Sequence, residues 1–259
     1  KRRVLVFVEM ADCRSMVVLA AFASALAFIA TTLCSCTSEV VSKPLPPRCT
    51  PIEPKSGPDH VRVYFGCGCF WHVMHEFATF EMAKFCRHES NITSRAAYAG
   101  GTRVGSDGLV CYHNTLGKDD YGQLGHAEVV ELDVPTAKFA EVAAKYWEIC
   151  PHGNRRDPQD VGAEYRSVVG IPGGMQSKLF PQLKEKAAGT TLVDGQGDDA
   201  DTLGTNKVWI YDSTKLGAHI AEKYHQFHDD MIDAYGKEYN DLQRYASGTR
   251  CPGDNSFTS

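Results

Sequence analysis

From Val61 onward the apolar and polar positions recur in two periods, one of two residues and one near 3.6, and these mark successive strands and helices. VRVYF, residues 61–65, predicts a short strand. Beyond Gly66-Cys67-Gly68-Cys69, the residues Phe70, Val73, Met74, Phe77, Phe80 and Phe85 approximate helical spacing, so a strand feeds a helix through the cysteines. NITSRAAYA and HAEVVELDV predict two further strands, and 136–148 carries Phe139, Val142, Ala143, Tyr146 and Trp147 on one helical face. YRSVVGI predicts a strand, Met175, Leu179, Leu183 and Ala187 a helix, KVWIY a strand, and 216–231 a final helix. The order β-α-β-β-α-β with a further α-β-α predicts an α+β fold: a two-layer sandwich with a ferredoxin-like core, helices on one face of a mixed sheet, and extra C-terminal helices. The loop 100–125 is long and rich in Gly, Asp and Tyr, a pattern that goes with function or mobility.

Upstream the pattern changes. MVVLAAFASALAFIATTL, from Met16 to Leu33, is continuously apolar, preceded by Arg14 and followed by Cys34-Ser35-Cys36-Thr37, so residues 1–37 read as a signal peptide or, left uncleaved, a signal anchor. Met10 and Met16 are both candidate starts, and the first nine residues are given no functional weight. Residues 38–60 are Pro-rich and polar and read as a linker. The globular body is expected over 61–235, with a flexible tail over 236–259. The leader directs the chain to the secretory route or to an organelle, a plastid included; contact with a membrane is expected only if it stays uncleaved.

Composition adds two constraints. The net charge of -5 and the absence of a Lys/Arg stripe outside the first three residues argue against a nucleic-acid surface. Ten cysteines without a repeating scaffold spacing direct attention to thiol chemistry. Among them Cys69 falls where a strand ends and a helix begins. Unpaired N–H groups and the positive end of the helix dipole there are expected to favour its thiolate. In the strand 126–134, alternation places Glu128 on the same side as Val130, Leu132 and Val134. A carboxyl at the end of a buried face has its pKa raised by desolvation, as a general acid requires; at a wet strand mouth it would merely pair with a cation.

GCFW at 68–71, YAGG at 98–101, GHAEVV at 125–130, DVGAEYRS at 160–167 and AEKYHQ at 221–226 together resemble the A-type peptide-methionine sulfoxide reductases in content, order and approximate spacing over 61–231. The resemblance implies reduction of methionine S-sulfoxide, in proteins and in free form. It makes Cys69 the nucleophile on the sulfoxide sulfur and Glu128 the proton donor to its oxygen. Phe70 and Trp71 become walls of a methyl pocket, Tyr165 a hydrogen-bond donor to the oxygen, and Asp160 a residue that orders the site. The family's second tyrosine falls in a loop that is longer here; Tyr112 is preferred and Tyr121 is the alternative. No metal or bound organic cofactor is expected, and a thioredoxin or other dithiol is the expected reductant and partner. Attack leaves a sulfenic acid that a second thiol must resolve. Cys251, Cys67 and Cys111 are the candidates, with Cys86 less favoured. Glu164 stands where relatives often carry Gln. The alternative from another class is a zinc-binding module without catalysis, built on Cys67, Cys69, His72 and His75. Tyr224 and His225 are expected near the site without a defined role.

Overall fold

The computed structural model describes residues 50–55, 57–230 and 233–254. The leader and most of the linker lie outside them. Seven strands form one mixed sheet: β1 (His60–Gly66), β2 (Arg95–Ala99), β3 (Ala127–Pro135), β4 (Val168–Ile171), β5 (Thr191–Asp194), β6 (Lys207–Asp212) and β7 (His219–Ile220), in spatial order β5-β6-β4-β1-β3-β2-β7. The β5-β6 and β6-β4 pairings are parallel; those from β4 to β7 are antiparallel. Among the described residues four α-helices accompany them: α1 (Phe70–Phe80), α2 (Phe139–Ile149), α3 (Phe180–Glu185) and the single turn α4 (Lys237–Asn240).

The larger core lies between the sheet and α1 and α2. Phe65 of β1 stacks on Phe77 of α1 and meets Tyr146 of α2, each at 5.0 Å between ring centroids. Alternation then assigns the two faces of β3. Val130, Leu132 and Val134 join this core, and Val129 joins a smaller cluster on the opposite face with Tyr64, Val168 and Tyr211. Tyr64 closes that second face by donating its hydroxyl to the Leu216 carbonyl at 2.6 Å.

Three expectations are corrected. Residues 216–231 do not form a helix: β7 occupies 219–220, and Lys223–His225 is a 3-10 turn. The physical reason is long-range pairing. The Ala221 N–H donates to the Ala96 carbonyl, and the buried Gln226 side chain accepts from the Ala96 N–H while donating to the Ala96 and Ala221 carbonyls. These bonds extend the sheet edge and remove the incentive to coil. The described part of the tail, likewise, is not loose. Tyr239, Leu242, Ala246 and Cys251 are buried, and Cys251 is disulfide-bonded to Cys111. The predicted helix over 175–187 also shrinks to α3, led in by a 3-10 turn at Gly174–Gln176. Among the described residues no helix is long and apolar enough to cross a membrane.

Candidate active site

The end of β1 and the start of α1 make the site. Gly68 adopts φ +73°, and a Cβ there would meet the Asp160 carboxylate at 2.8 Å and Arg155 at 3.0 Å, so only glycine lets the chain turn this close to Asp160. The turn leaves the first N–H groups of α1 without helical partners, and side chains supply them. Asp160 Oδ2 accepts the Cys69 N–H and Glu128 Oε2 accepts the Phe70 N–H, both at 2.9 Å, while the Trp71 N–H points to the Cys69 sulfur. The Gly68 N–H donates to the Tyr165 carbonyl at 3.1 Å, tying the turn of Tyr165 to that of Cys69. Cys69 itself is partly exposed and carries the free thiol.

Glu128 is 2% exposed, on the helix-facing side where alternation places it. Burial, with Asp160 as the strongest like charge, pushes its pKa up to about 8 against the counter-effect of the Phe70 N–H. It is a neutral acid at physiological pH. Tyr121, fully buried, donates its hydroxyl to Glu128 Oε1 at 3.3 Å. Tyr112 and Tyr165 are half-buried, and burial followed by the Glu128 charge raises both phenols, Tyr112 to about 12. All three tyrosines therefore remain protonated donors.

The thiol departs from its expectation. Burial, then Glu128, with lesser contributions from Asp230 and Asp160, pushes the Cys69 thiol far above its ordinary value, and the hydrogen bond from the Trp71 N–H does not offset them. The helix N-terminus is present, but its dipole acts against desolvation and several carboxyl groups brought in from distant parts of the chain. The resting site holds a thiol and a carboxylic acid, both protonated.

Aromatic rings wall the approach. Phe70 is buried beneath Tyr98 and His225, at 5.9 and 5.2 Å, and Trp71 packs against His228 at 4.4 Å with the exposed Tyr224 at its edge. His225, like Tyr224, had no defined role in the sequence. Its Nδ1 accepts the Trp71 indole N–H at 3.3 Å, and its ring lies 4.3 Å from that of Tyr112. Burial, then His228, lowers its pKa to about 4, so the ring stays neutral with Nδ1 free to accept. Replacing His225 by Phe keeps the packing and removes the acceptor. Loss of one hydrogen bond, about 0.5–1.5 kcal/mol, is expected to raise KM roughly two- to tenfold with little change in kcat, as steady-state kinetics would show.

The long loop and the 163–165 turn are joined by residues that sequence reasoning did not single out as a unit. His113 Nδ1 lies 2.7 Å from Asp120 and its Nε2 lies 3.3 Å from Glu164. Glu164 thus bridges the turn that carries Tyr165 to the loop that carries Tyr112 and Tyr121. Glu222, also buried, accepts from the Tyr98 hydroxyl and the Tyr112 N–H, both at 2.8 Å.

The three candidate resolving cysteines are all bonded: Cys67 to Cys150, and Cys111 to Cys251. The proposed zinc set does not assemble, because Cys67 has given its sulfur to Cys150 and His75 stacks on Tyr235 at 3.7 Å. Among the described residues, the one grouping of potential metal ligands is Cys111, Glu222 and Cys251, and two of its sulfurs form a disulfide.

The site sets one free, partly exposed cysteine at a strand-to-helix turn beside one buried carboxyl group. The chain is 30% identical over 136 residues to peptide methionine sulfoxide reductase MsrA of Geobacter metallireducens, spanning 51% of this chain and 74% of that protein. It is 27% identical over 179 residues to the MsrA of Rhodospirillum centenum, spanning 68% and 70%. Among solved structures, reduced Mxr1 from Saccharomyces cerevisiae is similar, with TM-score 0.48 and 20% identity over 73% of this chain and 95% of that one. No family model matches the chain. The chain belongs to the peptide methionine sulfoxide reductase MsrA family.

Proposed function

We propose that this enzyme reduces methionine S-sulfoxide, in proteins and free, through Cys69. The observation that carries the reading is the buried, protonated Glu128 bonded to the peptide that follows a free, partly exposed cysteine. A sulfoxide oxygen leaves only once protonated, and a carboxyl with a pKa near 8 donates at neutral pH. Cys69 attacks the sulfur as Glu128 gives its proton to the oxygen. The carboxylate left behind takes the thiol proton, so the buried site never holds two negative charges. Tyr112 and Tyr165 donate hydrogen bonds to the oxygen, and Tyr121 holds Glu128 from behind. Oxygen passes to Cys69, which becomes a sulfenic acid, and the thioether leaves: Cys–SH plus sulfoxide gives Cys–SOH plus methionine. Phe70 and Trp71 hold the substrate methyl group, and Asp160 fixes the first peptide of α1.

A thioredoxin or similar dithiol completes the cycle, and no bound cofactor enters the scheme. A leader that routes the chain to the secretory path or a plastid would require a source of reducing thiols in that compartment. Incubating the protein with dithiothreitol and each sulfoxide epimer tests the function. Methionine is expected from the S epimer alone; equal turnover of both epimers, or of neither, refutes the reading.

A further inference from the structure

The disposition of the other sulfurs bears on how the sulfenic acid is removed, an inference that rests on the sulfoxide-reductase reading above. Among the described residues Cys69 is the free cysteine; Cys67, Cys150, Cys111, Cys251 and Cys86 are all disulfide-bonded. The two bonds nearest the site are shut away from reductant, with exposures of 2% and 0% at Cys67 and Cys150 and 1% and 6% at Cys111 and Cys251. Each is set into surrounding structure. Ser167 Oγ lies 3.6 Å from both Cys67 and Cys150 sulfurs and is itself anchored on the Gly153 carbonyl at 2.8 Å. Cys251 Sγ sits 3.6 Å from the Val110 carbonyl, in a segment where Asp254 bonds back to Thr249 and to the Lys223 N–H. Thiol–disulfide exchange needs a thiolate to reach one of the two sulfurs, and the burial of all four opposes it. Cys69, in contrast, is partly exposed beside Trp71 and the open edge of Tyr224.

We propose that the Cys69 sulfenic acid is resolved by an external thiol that attacks the Cys69 sulfur directly, while the Cys67–Cys150 and Cys111–Cys251 bonds stay closed throughout the cycle. In the first step the thiol displaces hydroxide from sulfur: Cys69–SOH plus RSH gives Cys69–S–SR plus water. In the second, another thiol attacks the R-bound sulfur of the mixed disulfide, breaking the Cys69 S–S bond and releasing Cys69–SH and RS–SR. A dithiol supplies both sulfurs from one molecule, and a monothiol such as glutathione supplies them from two. The two buried disulfides are then structural, and neither consumes nor delivers electrons.

The test is peptide mass spectrometry on the full chain, purified without reductant and given one equivalent of methionine S-sulfoxide. The expected result is one methionine per chain, a dimedone-reactive Cys69, and the Cys67–Cys150 and Cys111–Cys251 peptides unchanged. Adding glutathione is then expected to give a Cys69–glutathione adduct, which dithiothreitol clears to the free thiol. A disulfide joining Cys69 to any cysteine of the chain, including those of the leader, overturns the proposal while leaving the sulfoxide-reductase reading intact. Absence of methionine, with Cys69 still a thiol, overturns both.

Discussion

Glu128→Gln is expected to lower kcat by about 10²–10⁴-fold and to abolish an alkaline limb in the pH profile. In the wild-type enzyme the carboxyl is raised to about 8, so the fraction able to donate falls as pH rises through that value, and kcat with it, by about tenfold per unit beyond. Gln has no proton to give and nothing to lose, so its residual rate should run flat through the same range. The substitution has a second signature. Because the folded carboxyl holds its proton to about 8 and an unfolded one releases it near the ordinary value of 4.5, wild-type stability declines as pH rises between the two and levels off above. Gln removes that decline. Urea denaturation at pH 5 and pH 9 should show the variant gaining on the wild type at the higher pH; a matching gap at both would show that Glu128 carries no buried proton.

Cys69→Ser is expected to remove turnover altogether, a loss on the order of 10⁴-fold or more. A serine hydroxyl is a far weaker nucleophile than sulfur and cannot accept the oxygen as a sulfenic acid. The measurement is methionine release with excess dithiothreitol, alongside circular dichroism to show that the fold survives. Because the resting thiol is protonated, alkylation of wild-type Cys69 by iodoacetamide should be slow at pH 7 and accelerate with pH well above 8. Fast alkylation at neutral pH would mean that the site favours the thiolate, against the proton exchange proposed between the thiol and Glu128.

The parts of the site that depend on local order were legible in the chain. Alternation along β3 put Glu128 on the buried face because a strand has only two faces, and Val130, Leu132 and Val134 name the inner one. The start of α1 was legible for a similar reason, since the Gly-Cys-Gly-Cys run separates two distinct periods. What sequence missed depends on contacts from far away. The 216–231 segment has helical spacing, yet the Gln226 side chain bonds a peptide 130 residues earlier, and no local pattern reports that. The acidity of Cys69 was misjudged because a helix end is visible in sequence whereas the convergence of Glu128, Asp160 and Asp230 on it is not. The cysteine pairings, at separations of 83 and 140 residues, are equally invisible, since spacing alone does not choose among the possible connectivities. Glu164 made sense only beside His113, 51 residues earlier in the chain.

The two crosslinks also interlace along the chain, Cys67 with Cys150 and Cys111 with Cys251, so the second begins inside the span of the first and ends beyond it. A single protease nick anywhere between residues 67 and 251 therefore leaves both fragments covalently joined. Cys69, Glu128, Tyr112, Tyr121 and Tyr165 all fall within that interval, and a nicked molecule would migrate as one band until it is reduced.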